Sequence, residues 1–358
     1  QTPILLSLHN QDILYMGSEF LHRSMNQGET WERISGDLTN GEKEGNVAFG
    51  TLTTISESKF QFGLLYAGSD DGKIHVSKDG GASWQLISGN LPQNLWVSRV
   101  AASSHKKERV YATLNGYRND IFESYAFVSE DFGATWNSIS NGLTQAVNVI
   151  VEDSVNENIL YVGTDNGLFI SLDKGANWQD FSNGMPNVAV HDAVIQTKAK
   201  ELIVGTHGRS IYKMDISKVQ EVTKDVLAKN LHLFKVNDRT KSDRWGSQNY
   251  AWGKPSEPSQ EIWFYSNVDG VVAVSITNES GIIVHTQKVE AKKGLNSFEF
   301  DYSLSKEVAE KWNKKDKNIK IKEAENKKFY LHVGKYKMTV SKDKASESKS
   351  FEVSAPKK

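Results

Sequence analysis

The sequence predicts an all-β chain of about five repeated four-stranded units followed by a small two-sheet domain. Three observations lead there. An eight-residue pattern, Ser-x-Asp-x-Gly-x-Thr-Trp, recurs along the first two thirds. The 358 residues include 27 glycines, 12 tyrosines and 9 tryptophans beside only 6 prolines, a balance that suits many short strands and turns. Apolar runs alternate with turn signals along most of the length.

The pattern stands at Ser77–Trp84, Ser129–Trp136 and Ser171–Trp178, and at Ser24–Trp31 with Asn26 in the aspartate position. Recurrence at roughly 40 to 55 residues marks a repeat architecture. The unit is clearest in the fourth copy, where Val147–Val151, Ile159–Thr164, Leu168–Ser171 and Trp178–Phe181 read as four strands. Asn166-Gly167 joins the second and third, a hairpin turn that needs positive φ at both central residues. The same order fits Ile4–Ile34, Thr51–Ile87 with Asp71-Gly72 at its hairpin, and Val97–Ile139.

A fifth unit runs through Val188–Ile195, Leu202–Thr206 and Ser210–Met214, then stops without a fourth strand or a motif. Radial repetition of such sheets is the β-propeller solution to exposed edges. The expectation is therefore propeller blades over 1–216 in an incomplete ring. An open last blade would leave an unpaired strand edge. Gln1-Thr2-Pro3 leads straight into Ile4–Leu8, so the chain is expected to be the C-terminal part of a larger protein, or to be completed by another chain, with further blades from either source.

Residues 217–258 read as a linker and irregular segment, with Trp245, Tyr250 and Trp252 in its loop-like part. From 259 to 358 alternation returns in six short runs, Glu261–Tyr265, Val271–Thr277, Ile282–Gln287, Asn296–Phe300, Lys335–Val340 and Ser348–Val353, a β-sandwich pattern. A Lys-rich insertion near 303–328 reads as solvated, with one short helix.

Within the motif, Asn26, Asp79, Asp131 and Asp173 can accept turn N–H groups, and Trp31, Trp84, Trp136 and Trp178 open the outer strand and insert between sheets. The reading is structural, with no metal: a calcium loop needs ligands at alternating positions and a terminal Glu. On this view Trp136→Ala should cost about 3 to 5 kcal/mol.

Composition narrows the function. A net charge of −1 argues against nucleic acid. The absence of cysteine excludes disulfides and thiolate chemistry. No stretch is long and apolar enough for a transmembrane segment, and the N-terminus lacks the regions of a signal peptide. Nothing calls for a cofactor.

The repeats resemble Asp-box (BNR) repeats, found in sialidases, sortilin-type receptors and two-propeller xyloglucanases. Leu64–Gly72, Leu160–Gly167 and Val204–Tyr212 extend the likeness to sortilin-like bacterial exported propeller proteins. That resemblance implies an immunoglobulin-like sandwich after the blades. Gly334–Val340 is similar to its Pro-Gly-x-Tyr-x-Val strand, with Val333 in place of the proline. It also implies an extracellular, cell-surface or periplasmic location, and carries no catalytic residue to this chain.

Propeller topology puts the loops between strands two and three on one face, where binding residues concentrate. Candidate ligand-binding residues there are Trp96, Tyr117, Arg118, Asp120, His207 and Arg209, together with the loop Gly36–Phe49. Tyr117, Arg118 and Asp120 offer a platform, a cation and an acceptor in one excursion, though an Arg-Asp pair holding its own loop is the structural alternative. Trp96 can stack on a sugar or fill a blade junction. His207 and Arg209 can bind, or close a turn and cap the last blade. His191-Asp192 interrupts an apolar strand and can line the channel, near Arg99.

The expected function is an exported binding or scaffold module recognising a protein, peptide or glycan without catalysis. The alternative is a glycoside hydrolase of the two-propeller xyloglucanase type, using acids among Glu19, Asp70, Asp71, Asp120 and Asp165. A third reading makes it a subunit of a surface assembly docked by the sandwich.

Overall fold

Short strands of two to ten residues set the architecture. The computed structural model describes residues 2–41, 50–182, 184–248, 252–315 and 319–356. It divides into two units, Gln1–Glu221 and Val222–Lys358. In the first unit, blade one is β1 (Ile4–Leu6), β2 (Leu14–Gly17), β3 (Leu21–Ser24) and β4 (Glu32–Arg33). Blade two is β5 (Leu52–Glu57), β6 (Leu65–Ser69), β7 (Ile74–Ser77) and β8 (Gln85–Leu86). Blade three is β9 (Trp96–Ala102), β10 (Val110–Gly116), β11 (Ile121–Ser129) and β12 (Asn137–Ser138). Blade four is β13 (Val147–Glu152), β14 (Leu160–Thr164), β15 (Gly167–Ser171) and β16 (Gln179–Asp180). Blade five has β17 (Val190–Gln196), β18 (Glu201–Thr206) and β19 (Ile211–Asp215), and ends at three strands.

Every blade is an antiparallel meander in chain order. The apolar clusters straddle neighbours: Ile13, Tyr15 and Leu21 of blade one pack with Leu52 and Ala67 of blade two. Tyr66 and Ile74 of blade two pack with Val97 and Val100 of blade three. Tyr111 and Ala126 of blade three pack with Val147 and Ile150 of blade four. The core of this unit is thus a series of interfaces, and each blade depends on the next.

The motif lies between strands three and four. Asp131 Oδ1 accepts from Thr135 N at 2.9 Å and Ser129 Oγ at 2.7 Å, while Oδ2 accepts from Thr135 Oγ1 at 2.7 Å. Gly133 has φ of +89°, and a Cβ there would lie 2.4 Å from Ile87 Cδ1 of the preceding blade, so only glycine fits. Trp136 donates Nε1–H to the Ile87 carbonyl at 2.7 Å. The tryptophan therefore ties blade three to blade two, but it is only half-buried, and the truncation cost falls to the lower end of the expected range.

The segment 217–258 does not behave as a linker. α1 (Ser217–Gln220) belongs to the first unit, and α2 (Lys224–Leu227), β20 (Leu231–Leu233) and β21 (Arg239–Thr240) belong to the second. The remaining elements are β22 (Gln260–Ser266), β23 (Gly270–Asn278), β24 (Ile283–Ala291), β25 (Gly294–Phe300), β26 (Ser303–Leu304), α3 (Lys306–Lys315), β27 (Phe329–Tyr330), β28 (Gly334–Lys342) and β29 (Ala345–Ser354).

Sheets β20-β22-β25 and β21-β29-β28-β23-β24 share one core, in which Leu233 and Phe264 meet Ile276, Met338 and Phe351. Leu231 and Leu233 are buried because β20 pairs with β22, a non-local contact that a three-residue strand cannot advertise. Trp245 joins the same core, beside Tyr302 at 5.4 Å between ring centroids. The Lys-rich insertion is likewise half core: α3 buries Ala309 and Trp312 and turns its charges outward. Tyr250 lies outside the described residues.

Candidate functional site

Four inner strands carry the same irregularity. Pairing with strand two skips Thr53 in β5, Ser98 in β9, Asn148 in β13 and His191 in β17. Each is a β-bulge, an extra residue that leaves the ladder and re-aims its side chain. All four line one cavity of about 780 Å³, which also takes in residues of β1. The inner strands of all five blades thus surround a common channel whose lining is set at the bulge positions.

The bulge residues differ in what they do. Thr53 Oγ1 donates to the Val97 carbonyl at 2.6 Å, and Ser98 Oγ to the Val147 carbonyl at 2.8 Å, so both fasten blade to blade. Asn148 accepts from Asn115 Nδ2 and donates to Asp165 Oδ1, each at 2.8 Å. His191 meets His207 ring to ring at 5.3 Å. Beside them Arg99 pairs with Asp192 at 2.5 Å. The channel is consequently hydroxyl-lined on one side and carries Arg99, Asn148, His191, Asp192 and His207 on the other.

Trp96 stands at the start of β9 and lines the cavity, with the Arg118 guanidinium 4.8 Å above its ring. Trp96 Nε1 and Arg99 Nε are buried and lack a hydrogen-bond partner. Both atoms are closed off from the open cavity as well as unpaired. Arg118 comes from the 3-10 turn Tyr117–Asn119 between β10 and β11. Asn115 Oδ1 accepts from Tyr117 N at 2.8 Å, and Asp120 closes the turn with φ of +57°. Tyr117 and Phe122 remain exposed and touch edge to face at 6.1 Å.

The structure thus brings together Trp96, Arg118 and His207, and places Tyr117 on the adjoining loop. Asp120 shapes the turn, and no ion pair with Arg118 occurs among the described residues. Arg209 is exposed in the β18–β19 turn and does not line the cavity. Residues 42–49 of the loop Gly36–Phe49 lie outside the described residues. Sequence reading missed Asn148 and Thr53; the signal was a polar residue directly after the first aliphatic residue of each inner strand, at Thr53, Ser98, Asn148 and His191.

The acids are largely engaged. Asp70 accepts from Thr51 N, Asp71 from Asn40 N and Ser69 Oγ, and Asp165 from Asn148. Among the described residues no cluster of three or more His, Asp or Glu side chains is disposed to hold a metal. No helix of the described residues is long and apolar enough to cross a membrane. The arrangement can hold a ligand, through aromatic surface and charged hydrogen bonds.

Blades around a polar channel define a β-propeller. A family model described as Sortilin, neurotensin receptor 3 (Sortilin-Vps10) matches residues 19–145, which cover β3 and β4 of blade one and all of blades two and three. No curated protein sequence matches the chain.

Among solved structures, an ancestral GH74 enzyme is similar at TM-score 0.49 and 14% identity, over 80% of this chain and 38% of that one. The GH74 xyloglucanase of Xanthomonas campestris is similar at TM-score 0.48 and 12% identity, over 98% and 53%. YCF48 bound to D1 peptide is similar at TM-score 0.42 and 13% identity, over 59% and 63%. The chain spans less than two thirds of the length of each.

Proposed function

We propose that this chain is a non-catalytic recognition module that takes a protein or peptide segment at the channel mouth, on the face carrying Trp96 and the Tyr117 loop. The observation that carries this reading is the convergence of Trp96, Arg99, Asn148 and His191 on one open polar cavity beside the exposed Tyr117 loop. Such a lining suits the carbonyl or carboxylate oxygens of an extended chain. Exposed Tyr117 and Phe122 supply apolar surface for its side chains. The match to a family described as a receptor supports the same reading. We place the module at the cell surface or in another exported location, as the likeness of its repeats suggests.

The test is selection of binders from a displayed peptide library on the 358-residue chain. Bound peptides should lose at least about tenfold in affinity with Trp96→Ala and with Arg99→Ala, a loss of about 1.4 kcal/mol or more. Affinity unchanged in both variants would overturn the proposal. So would polysaccharide hydrolysis by the chain that is abolished by substitution of one channel acid.

A further inference from the structure

Two features recur at the junctions between blades, the forward one after blades one, two and four and the backward one before blades two, three and four. On the forward side, the glycine in strand two receives an aliphatic residue from the next inner strand. A Cβ on Gly17 would lie 2.8 Å from Leu52 Cβ, on Gly68 2.6 Å from Val97 Cγ1, and on Gly163 2.5 Å from Val190 Cγ1. The cross-strand partners of these glycines, Leu21, Ile74 and Leu168, are fully buried. On the backward side, a motif tryptophan donates to the carbonyl of the preceding blade: Trp84 to Ile34, Trp136 to Ile87 and Trp178 to Ile139, at 2.9, 2.7 and 2.6 Å.

At the two ends of the series one of these features is present but unmet. In blade five the glycine is Gly205, and the only atoms near a Cβ there belong to Asp192 of its own sheet, at 3.7 Å. Its cross-strand partner Ile211 is 73% exposed, where the equivalent residues of blades one, two and four are at 0%. In blade one, Trp31 turns back to the Gly28 carbonyl of its own motif and is 39% exposed. Leu6, whose equivalents Glu57 and Glu152 are buried against a preceding blade, is 62% exposed.

We propose that these two faces, Gly205 with Ile211 on blade five and Leu6 with Trp31 on blade one, are docking surfaces for further blades of the same repeat type. The polypeptide that supplies them lies outside residues 2–221. The incoming blade at Gly205 begins its inner strand with a branched aliphatic residue, as Leu52, Val97 and Val190 do. The one that meets Trp31 carries a complete fourth strand, with an aliphatic residue whose carbonyl takes the indole N–H.

A second copy of this chain does not satisfy either demand. Its blade five has no fourth strand to offer Trp31. Its blade one has the polar Gln1 and Thr2 in the sequence positions where an aliphatic residue would have to meet Gly205. The proposal is independent of the ligand-binding reading, since neither face includes Trp96 or Arg99.

The test places a photo-reactive p-benzoylphenylalanine at position 211, or at position 6, in the protein made in its source cells, followed by irradiation and sequencing of the cross-linked peptide. The expected product joins either position to a peptide from outside residues 2–221 that belongs to a Ser-x-Asp-x-Gly-x-Thr-Trp repeat. Cross-links to residues 2–221 of a second copy, to polypeptide without the repeat, or none at either position would overturn it.

Because the chain has no cysteine, Ile211→Cys also introduces a unique thiol without added bulk. Its maleimide labelling should be at least tenfold slower in the protein isolated intact from source cells than in the 358-residue chain. Equal rates count against the proposal. Val155→Cys, at another exposed position of the first unit, is expected to label alike in both and so controls for general access.

Discussion

Asn26 takes three hydrogen bonds on one oxygen, from Ser24 Oγ, Thr30 N and Thr30 Oγ1, where Asp79, Asp131 and Asp173 divide theirs between two. Asn26→Asp should therefore raise stability, by about 0.5 to 1.5 kcal/mol near neutral pH, as one added net hydrogen bond would. Thermal melting of the two proteins side by side checks this, and a fall in Tm would refute it. The tryptophans separate in the same way. Trp136→Ala removes a contact and a hydrogen bond to blade two, and should cost about 3 kcal/mol in denaturant unfolding. Trp31→Ala, at an exposed site bonded only to its own motif, should cost less than about 1 kcal/mol in the isolated chain.

At the scale of elements, two junctions share a carboxylate latch. Glu57 accepts from Ser7 Oγ, Leu8 N and Tyr15 OH, and Glu152 from Ser103 Oγ, Ser104 N and Tyr111 OH. Among the described residues only the second adds a cation: Arg109 reaches Glu152 at 3.2 Å, Glu130 at 2.6 Å and Glu157 at 3.1 Å from a buried position. Arg109→Ala leaves Glu152 buried without its counter-charge and should destabilise by about 3 to 5 kcal/mol. Arg109→Ala with Glu152→Gln in a double-mutant cycle should recover part of that loss, and simple additivity would show the pair is not coupled.

The legibility of the sequence also divides at this scale. The motif and the Asn-Gly and Asp-Gly hairpins mark blade register because each needs a residue type at a fixed offset. The bulges do not, since skipping Asn148 is a property of pairing with β14 and leaves the run Val147–Val151 looking like any apolar strand. For the same reason β20 was hidden inside an apparent linker. Of the candidate site, Trp96, Arg118 and His207 were readable from loop position, whereas Asn148 and Thr53 emerge only once five strands converge.

For the whole molecule, pH reports on the scaffold. Burial, with help from Lys73, lowers the His75 pKa from 6.5 to about 4, so the folded chain holds this imidazole neutral. The unfolded chain takes up a proton first as pH falls. Stability that is fully present above pH 6.5 is thus lost between about 6.5 and 4, by at most about 3 kcal/mol.

The motif acids act lower. Hydrogen bonds from Ser83 and Thr135 hold Asp79 and Asp131 near 2, and a bond from Lys174 does the same for Glu157. Their contribution is present above the ordinary carboxylate range and lost as pH falls toward 2. Urea midpoints measured from pH 8 to pH 2 should show two declines, and His75→Gln should remove the first while leaving the second. Persistence of the upper decline in that variant would assign it to another group.

The aligned bulges have a consequence for how such a molecule can change. A residue outside the ladder has no cross-strand partner, so exchanging its side chain leaves the backbone hydrogen bonds of its blade intact. Positions 53, 98, 148 and 191 are in that sense four sockets on a fixed frame. A threonine, a serine, an asparagine and a histidine already occupy them without altering the shared strand register. Exchange at 191 would alter the channel lining alone, whereas exchange at 53, 98 or 148 would also remove a hydrogen bond between blades.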